Sequence, residues 1–396
     1  MSKQIAKIIL KSGKDQSVLR FHPWVFSGAI KKIEGHVNEG DIVYVYSNKD
    51  EFLAAGHYQI GSIAVRIFSF KEENYNYTFW ENKLKLAYNL RKQTGLAEND
   101  KTTIYRLIHA EGDGLPGLII DWYNGTAVLQ MHSIGMYLLK DDFIKIVKDL
   151  YGDRLKAIYD KSSQTLPFKG PVTAEDGCIC GNITSTEALE NNNRFYIDWQ
   201  AGQKTGFFID QRENRALLGK YSEGKKVLNM FGYTGGFSVY ALTGGASIVH
   251  TVDSSKQAIE LTQKNVGLNF PNDNRHVGYA TDAFDYLKEM DDDYDLVILD
   301  PPAFAKHNNV LHNALQGYKR LNALAFNKIK SGGILFTFSC SQVVSKENFR
   351  KSVFAAAANS GRSVRILHQL TQPEDHPVNI YHPEGEYLKG LVLYME

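Results

Sequence analysis

The spacing of hydrophobic positions along the chain changes twice. Through the first seventy residues, apolar positions come in short runs. AKIIL, DIVYVYS, FLAAGHY and IAVRIFSF are rich in β-branched and aromatic residues, and the turn-forming SGKD, NEGD and SNKD separate them. This pattern predicts a small β-barrel-like module. From about residue 74 the period becomes helical. In YTFWENKLKLAYNLRKQTGL, Trp80, Leu84, Ala87 and Tyr88 share one face. The stretch YRLIHAEGDGLPGLIIDWYNGTAVLQMHS then reads as three strands with turns at GDGLPG and YNG. Residues 136–151 read as a helix, and LKAIYDKS and FYIDWQ as extended chain, so this second segment is mixed α+β.

Beyond about residue 200 strands and helices alternate. Strands are expected at Val227–Phe231, Ile248–Asp253, His276–Asp282, Tyr294–Asp300 and Ile334–Cys340. Helices are expected near 236–243, 255–269, 283–290, 312–329 and 345–360. Near-continuous apolar strands joined by helices predict a doubly wound, mostly parallel α/β sheet covered on both faces. VRILHQL and YLKGLVLYM close the pattern as two strands, expected as an antiparallel edge. No internal repeat or low-complexity segment interrupts it.

A length of 396 residues suits two or three domains. Lys and Arg total 45 against 44 Asp and Glu, a formal net charge of +1. The balance is uneven: residues 1–33 carry seven basic residues and one acidic. Such a segment is either a solvated face or a surface for phosphates. No stretch approaches membrane-spanning length and no secretory apolar run opens the chain, so a cytoplasmic protein with no membrane partner is expected. Three cysteines are too few for a disulfide framework. Cys178 and Cys180 form a CxC pair without a second pair at metal-binding spacing, and a packing role is expected for them.

In a doubly wound sheet, ligands bind outside the carboxyl ends of the strands. The first of these strands runs into NMFGYTGGFS, where Gly232, Gly235 and Gly236, beside Phe231 and Tyr233, permit a tight turn into a helix N-terminus suited to an anion. Thr234 stands where a dinucleotide GxGxxG fingerprint needs glycine. Asp253 ends the second strand, where a carboxylate can accept both ribose hydroxyls; it is equally placed to cap a helix. Asp282, followed by Ala283, ends the third strand, placed either for an adenine amine or for another cap. Asp300 ends the fourth, in LVILDPPAF, where Pro301 and Pro302 fix the backbone. As a set, these ends describe a nucleoside cofactor with a carboxylate tail and no pyrophosphate, namely S-adenosylmethionine. Arg212 and Arg215, three apart, are candidates for that carboxylate or for RNA phosphate; a surface helix turn paired with Glu213 is the alternative. Cys340 ends the fifth strand between two serines, either as a buried small hydrophobe or as a nucleophile.

QKTGFFIDQRENR at 203–215, VLNMFGYTGGFSVYA at 227–241, DLVILDPPAFAK at 295–306, FSCS at 338–341 and EGEYLKGLVL at 384–393 resemble the RlmI-type 23S ribosomal RNA 5-methylcytosine methyltransferases. RFHPWVFSGAI at 20–30 is similar to the start of their PUA RNA-binding module. The resemblance spans essentially the whole chain. It implies a PUA-like β-barrel domain at 1–72 and a small α+β domain at 73–190. A class I S-adenosylmethionine-dependent methyltransferase domain would fill 191–396, with a Rossmann-like seven-stranded sheet entered through a hairpin near 195–210. It also implies large-subunit ribosomal RNA as partner, and leaves a homodimer open. Cys340 matches the family's catalytic cysteine and Asp300 its fourth-motif carboxylate. Met230 stands where relatives often carry cysteine, at a position expected only to pack.

The implied chemistry is covalent: a Cys340 thiolate adds to C6 of cytosine, making C5 nucleophilic enough to take a methyl group. Two other readings stand beside it. Enzymes directed at a base nitrogen place Tyr or Phe directly after DPP or NPP, whereas here Ala303 intervenes before Phe304. An RNA-binding protein with an inactive cofactor domain would not need Asp253, Asp282, Asp300 and Cys340 together. Trp24 and Phe26 are expected to pack in the core of the first domain rather than to stack on bases.

Overall fold

A computed structural model describes residues 5–167, 172–182, 186–290 and 294–396. The chain forms two compact units. One comprises Met1–Ala188, Ile197–Phe207 and Glu374–Gly385; the other comprises Leu189–Tyr196, Phe208–Pro373 and Glu386–Glu396.

The first unit opens with a six-stranded sheet in the order Trp24–Phe26, Ile63–Ser69, Phe52–Tyr58, Ile42–Tyr46, Ala6–Leu10, Ile30–Glu34. Alternation sets its inner face: in IVYVY, Val43 and Val45 are fully buried and the residues beside them are not. Val25 on one edge strand and Ile30 on the other join the same apolar cluster as Ile8, Val43 and Val65, so the sheet curls around its own core. This is the small barrel-like module expected from the sequence. One detail differs. Val25 takes the core position on its strand, so the period of two turns Trp24 and Phe26 to the other face, where Phe26 is 47% exposed. Ile30–Glu34 was not legible as a strand, because a mostly exposed edge strand carries no alternation.

After it come the helix Tyr77–Gln93, buried along Trp80, Leu84, Ala87 and Tyr88 as the period predicts, and a five-stranded sheet. That sheet runs Gly177–Gly181, Ala157–Asp160, Thr126–Met131, Leu118–Tyr123, Ile104–His109. Two buried arginines brace it through paired carboxylates. Arg91 donates to Asp113 at 2.6 and 2.7 Å, and Arg106 to Asp121 at 2.7 and 2.9 Å. Cys178 and Cys180 are free thiols on Gly177–Gly181, the first exposed and the second half-buried.

The second unit is built on seven strands: β1 (Lys226–Met230), β2 (Ile248–Asp253), β3 (His276–Ala280), β4 (Tyr294–Leu299), β5 (Ile329–Ser339), β6 (Val364–Leu370) and β7 (Lys389–Met395). Their order is β3-β2-β1-β4-β5-β7-β6. β1 through β5 are parallel, and β7 is antiparallel to both β5 and β6. The doubly wound prediction holds, with helices at Gly236–Thr243, Lys256–Asn269, Ala283–Glu289, Leu311–Lys328 and Lys346–Ser360. Buried runs such as Leu296–Leu299 mark strands covered on both faces. The last two strands form the expected antiparallel pair at the sheet edge, with β7 next to β5 and β6 outermost. β5 begins at Ile329, before the expected Ile334, with a register shift through the glycine pair that follows Ser331. The hairpin expected near 195–210 lies earlier, at Glu187–Glu190 and Asn193–Tyr196.

Strand order reverses between β1 and β4. The carboxyl ends of these two strands flank the crevice where such sheets take ligands.

Candidate active site

The loop leaving β1 is held in an unusual shape. Phe231 and Tyr233 have positive φ, 59° and 45°, a conformation that costs a side-chain-bearing residue energy and clusters at ligand sites. Gly232 sits so close to β2 that an added Cβ would lie 2.2 Å from Cγ2 of Thr251. Gly235 has φ of 75°, and a Cβ there would meet Cγ2 of Thr262 at 2.5 Å. Neighbouring side chains fix the loop's carbonyls: Thr262 Oγ1 donates to Tyr233 at 2.9 Å and Asn265 Nδ2 to Thr234 at 2.8 Å. The following helix, Gly236–Thr243, has no side-chain N-cap, so its first N–H groups are left to a ligand or solvent.

The acidic strand ends fall where the sequence puts them, and two also do structural work. Asp253 accepts the Tyr233 N–H at 3.0 Å and the Ser255 N–H at 2.9 Å, tying the glycine loop to the end of β2. Asp282 caps the helix Ala283–Glu289 through one oxygen, which accepts from Phe284 N–H at 2.8 Å and Asp285 N–H at 3.1 Å. Ala283 is buried beneath that cap. Each carboxylate keeps acceptor capacity, since two oxygens offer about four lone-pair sites. A cradle too tight for a Cβ, an uncapped helix start and two carboxylates on neighbouring strands fit S-adenosylmethionine.

Arg212 and Arg215 are not on a surface turn. Both are buried, at 1% and 2% exposure. Arg215 donates to both oxygens of Glu190 at 2.8 and 2.7 Å and to the Phe208 carbonyl at 2.9 Å. Its Cδ lies 3.0 Å from where a Cβ on Gly236 would stand, so the ion pair underlies the start of the uncapped helix. Arg212 donates to Glu213 at 3.1 Å. Phe208 meets the Tyr233 ring edge-on at 5.0 Å between centroids. Met230 is fully buried in the core, as expected of a packing position.

On the other side of the crevice, Cys340 follows β5 and is half-buried, while both flanking serines are sealed. Ser339 Oγ donates to the Tyr318 hydroxyl at 2.9 Å and Ser341 Oγ to the Ala305 carbonyl at 2.5 Å. The serines therefore anchor the turn to the Leu311–Lys328 helix and to the loop after Asp300, leaving the thiol between them. Sγ lies 3.9 Å from the Pro301 carbonyl, which places it beside the DPP segment. Asp300 accepts from Gln211 Nε2 at 3.0 Å, and Gln211 accepts from Asn214 Nδ2 at 2.6 Å. Pro301 is buried and Phe304 is turned inward, 4.6 Å from the Tyr318 ring and against Gly317. Burial pushes the Tyr318 hydroxyl up to about 12, so it is neutral at physiological pH.

Lys389 was not singled out in the sequence. It opens β7 opposite Ser339, is 4% exposed, and donates from Nζ to the Ser341 carbonyl at 2.6 Å. Burial pulls its ammonium down to about 8, opposed by the fields of Cys340 and Glu386. Gln211 and Asn214 were missed for the same reason. Each is an ordinary polar residue whose partner is far along the chain, and only QKTGFFIDQRENR as a motif hinted at them.

Known proteins share this sequence pattern and fold. The family model for S-adenosylmethionine-dependent methyltransferases matches residues 171–384, and that for PUA-like domains matches 8–70. Ribosomal RNA large subunit methyltransferase I of Aeromonas hydrophila is 40% identical, over 98% of this chain and 99% of that protein. The chain belongs to this family. Its Escherichia coli member is 37% identical over 97% of the chain and 98% of its own length. A Streptococcus mutans protein described as a SAM-dependent methyltransferase superposes with a TM-score of 0.83, covering 98% of this chain and 99% of that one at 23% identity. The residues matched by the S-adenosylmethionine-dependent methyltransferase model include β1 through β6 of the second unit.

Proposed function

We propose that this protein forms 5-methylcytosine in large-subunit (23S) ribosomal RNA through a covalent bond between Cys340 and C6 of the target base. The observation that carries the reading is the half-buried Cys340 thiol, set between two anchored serines beside Asp300 and Pro301. The assignment to ribosomal RNA rests on the relatives' names, and a ribosomal RNA substrate supports a cytoplasmic protein.

Gly232, Gly235, Gly236, Asp253, Asp282 and the start of the Gly236–Thr243 helix would hold S-adenosylmethionine, with Phe231, Tyr233, Ala283, Pro301 and Arg212 around it. When bound, that cofactor supplies an electrophilic methyl carbon. Cys340 acts as a thiolate, since the thiolate and not the thiol is the nucleophile. It adds to C6, the C5–C6 double bond opens, and C5 gains enamine character. Asp300, aligned by Gln211, acts in its protonated form: it gives its proton to N3 as the thiolate adds, accepts from the exocyclic amine, and so neutralises the negative charge that develops on the ring. After methylation a base takes the C5 proton, the double bond reforms and the Cys340–C6 bond breaks. Cys340 thereby leaves as the thiolate.

Phe304 weighs against base-nitrogen chemistry. An aromatic ring packed on Tyr318 and Gly317 is not offered to a base for stacking. The intact glycine cradle weighs against an inactive cofactor domain.

The test is an RNA fragment carrying 5-fluorocytidine, incubated with S-adenosylmethionine and run on a denaturing gel. A slow-migrating adduct is expected, and Cys340→Ala abolishes it. Methylation of ordinary RNA without any adduct on the fluorinated substrate refutes the covalent route. Mass mapping of digested ribosomal RNA then names the base.

A further inference from the structure

We infer that Lys389 is a positioning residue for Cys340: it pins the turn that carries the thiol and provides the buried positive charge that holds it as a thiolate. This deepens the function proposed above, since it takes Cys340 to be the nucleophile.

The register of the sheet makes the contact. β7 runs antiparallel to β5, and Lys389 stands opposite Ser339, one residue before Cys340. Its Nζ donates at 2.6 Å to the Ser341 carbonyl, one residue after it. The lysine thus reaches across the short turn whose middle residue is the cysteine. An ammonium that is 4% exposed and bound to a neutral carbonyl is an expensive arrangement, because one carbonyl replaces little of the lost hydration. No carboxylate among the described residues forms an ion pair with it. The buried charge calls for an anion, and the adjacent sulfur is the group that can become one.

Other charged or titratable groups around the thiol do not fill this role. Asp300, at the end of β4, is an acid and opposes ionisation of the sulfur. Tyr318, on the Leu311–Lys328 helix, bonds to Ser339 and is neutral at physiological pH. Lys346 and Glu386 pair with each other at the exposed rim. Lys389 is the buried cation of the set, and its influence on Cys340 is reciprocal: an ionised sulfur raises the lysine's pKa.

The experiment measures Cys340 alkylation by iodoacetamide from pH 6 to 10, in the full-length protein carrying Cys178→Ser and Cys180→Ser so that one thiol reports. It needs neither RNA nor methyl transfer, so it stands or falls separately from the fluorocytidine test. A free thiol titrates near about 8.5. The parent profile should have its midpoint below that value; a midpoint at or above it overturns the inference without any variant. Lys389→Gln keeps a donor for the Ser341 carbonyl but removes the charge. It should move the midpoint up by about one pH unit, slowing alkylation at pH 7 about tenfold. Lys389→Arg should keep the parent profile. Retained S-adenosylmethionine binding verifies the fold of each variant. A Lys389→Gln profile superimposed on the parent refutes the role of the charge.

Discussion

Replacing Arg215 by methionine should damage stability and cofactor binding together. Arg215 is 2% exposed, Glu190 is fully buried, and the guanidinium spans both carboxylate oxygens at 2.8 and 2.7 Å. Methionine fills much of the volume but leaves Glu190 buried without its partner. Removing one member of such a pair costs about 3–5 kcal/mol. The Phe208 carbonyl also loses its donor, a further loss of about 1 kcal/mol. Against a total of about 5–15 kcal/mol for a typical domain, this is a large fraction. Glu190→Met in addition should recover most of the loss, because the uncompensated charge is then gone. Urea denaturation followed by the signal of the second unit gives the three values, provided each transition is single and its slope is unchanged. Arg215 also packs beneath Gly236, so calorimetry should show weaker S-adenosylmethionine binding in the single variant even at low temperature where it is folded. A single-variant cost below about 1 kcal/mol, or a double variant worse than the single, would refute the reasoning.

Two further outcomes can be measured directly. Gly232→Ala forces a methyl group to 2.2 Å from Thr251 Cγ2, and overpacking of about 1–3 kcal/mol should weaken S-adenosylmethionine binding by about tenfold or more. Adding Thr251→Ser removes the clashing methyl and keeps the hydroxyl that meets Ser238 and His276, so calorimetry should show affinity returning. His57 is buried and its imidazole is pushed down to about 3 by that burial, so the unfolded chain takes up a proton near pH 6.5 that the native state refuses. Its contribution is therefore present above pH 6.5 and lost as pH falls toward 3, by about 1.4 kcal/mol per pH unit. His57→Phe should flatten the decline of first-unit stability in that window, measured as urea midpoints against pH; an unchanged slope counts against it.

The fold was legible because its signals are local. The strand–helix alternation after residue 200 and the helix at Tyr77–Gln93 follow from periodicity, and Cys340, Asp300 and the glycine loop follow from motifs at strand ends. What stayed hidden depends on partners distant in sequence. Nothing near Arg215 announces Glu190, and Gln211 carries no mark of its bond to Asp300. QRENR reads as a polar surface turn until tertiary packing buries it. Lys389 lies within EGEYLKGLVL, yet its contact with the Cys340 turn depends on β7 lying next to β5, which no local pattern specifies. Asp282 shows a third case: both the capping and the ligand readings suit the same carboxylate, and the observed cap leaves room for the second, whereas at Asp253 the cap of the next helix falls to Ser255 instead.

The placement of β7 also bears on the order in which the molecule is assembled. Synthesis delivers β5 and β6 to the growing chain before the strand that separates them. Until Lys389–Met395 slides in, both must wait with unpaired backbone edges on either side of a vacant slot. Since Lys389 arrives with that insertion, its bond to the Ser341 carbonyl beside Cys340 forms only as the sheet closes.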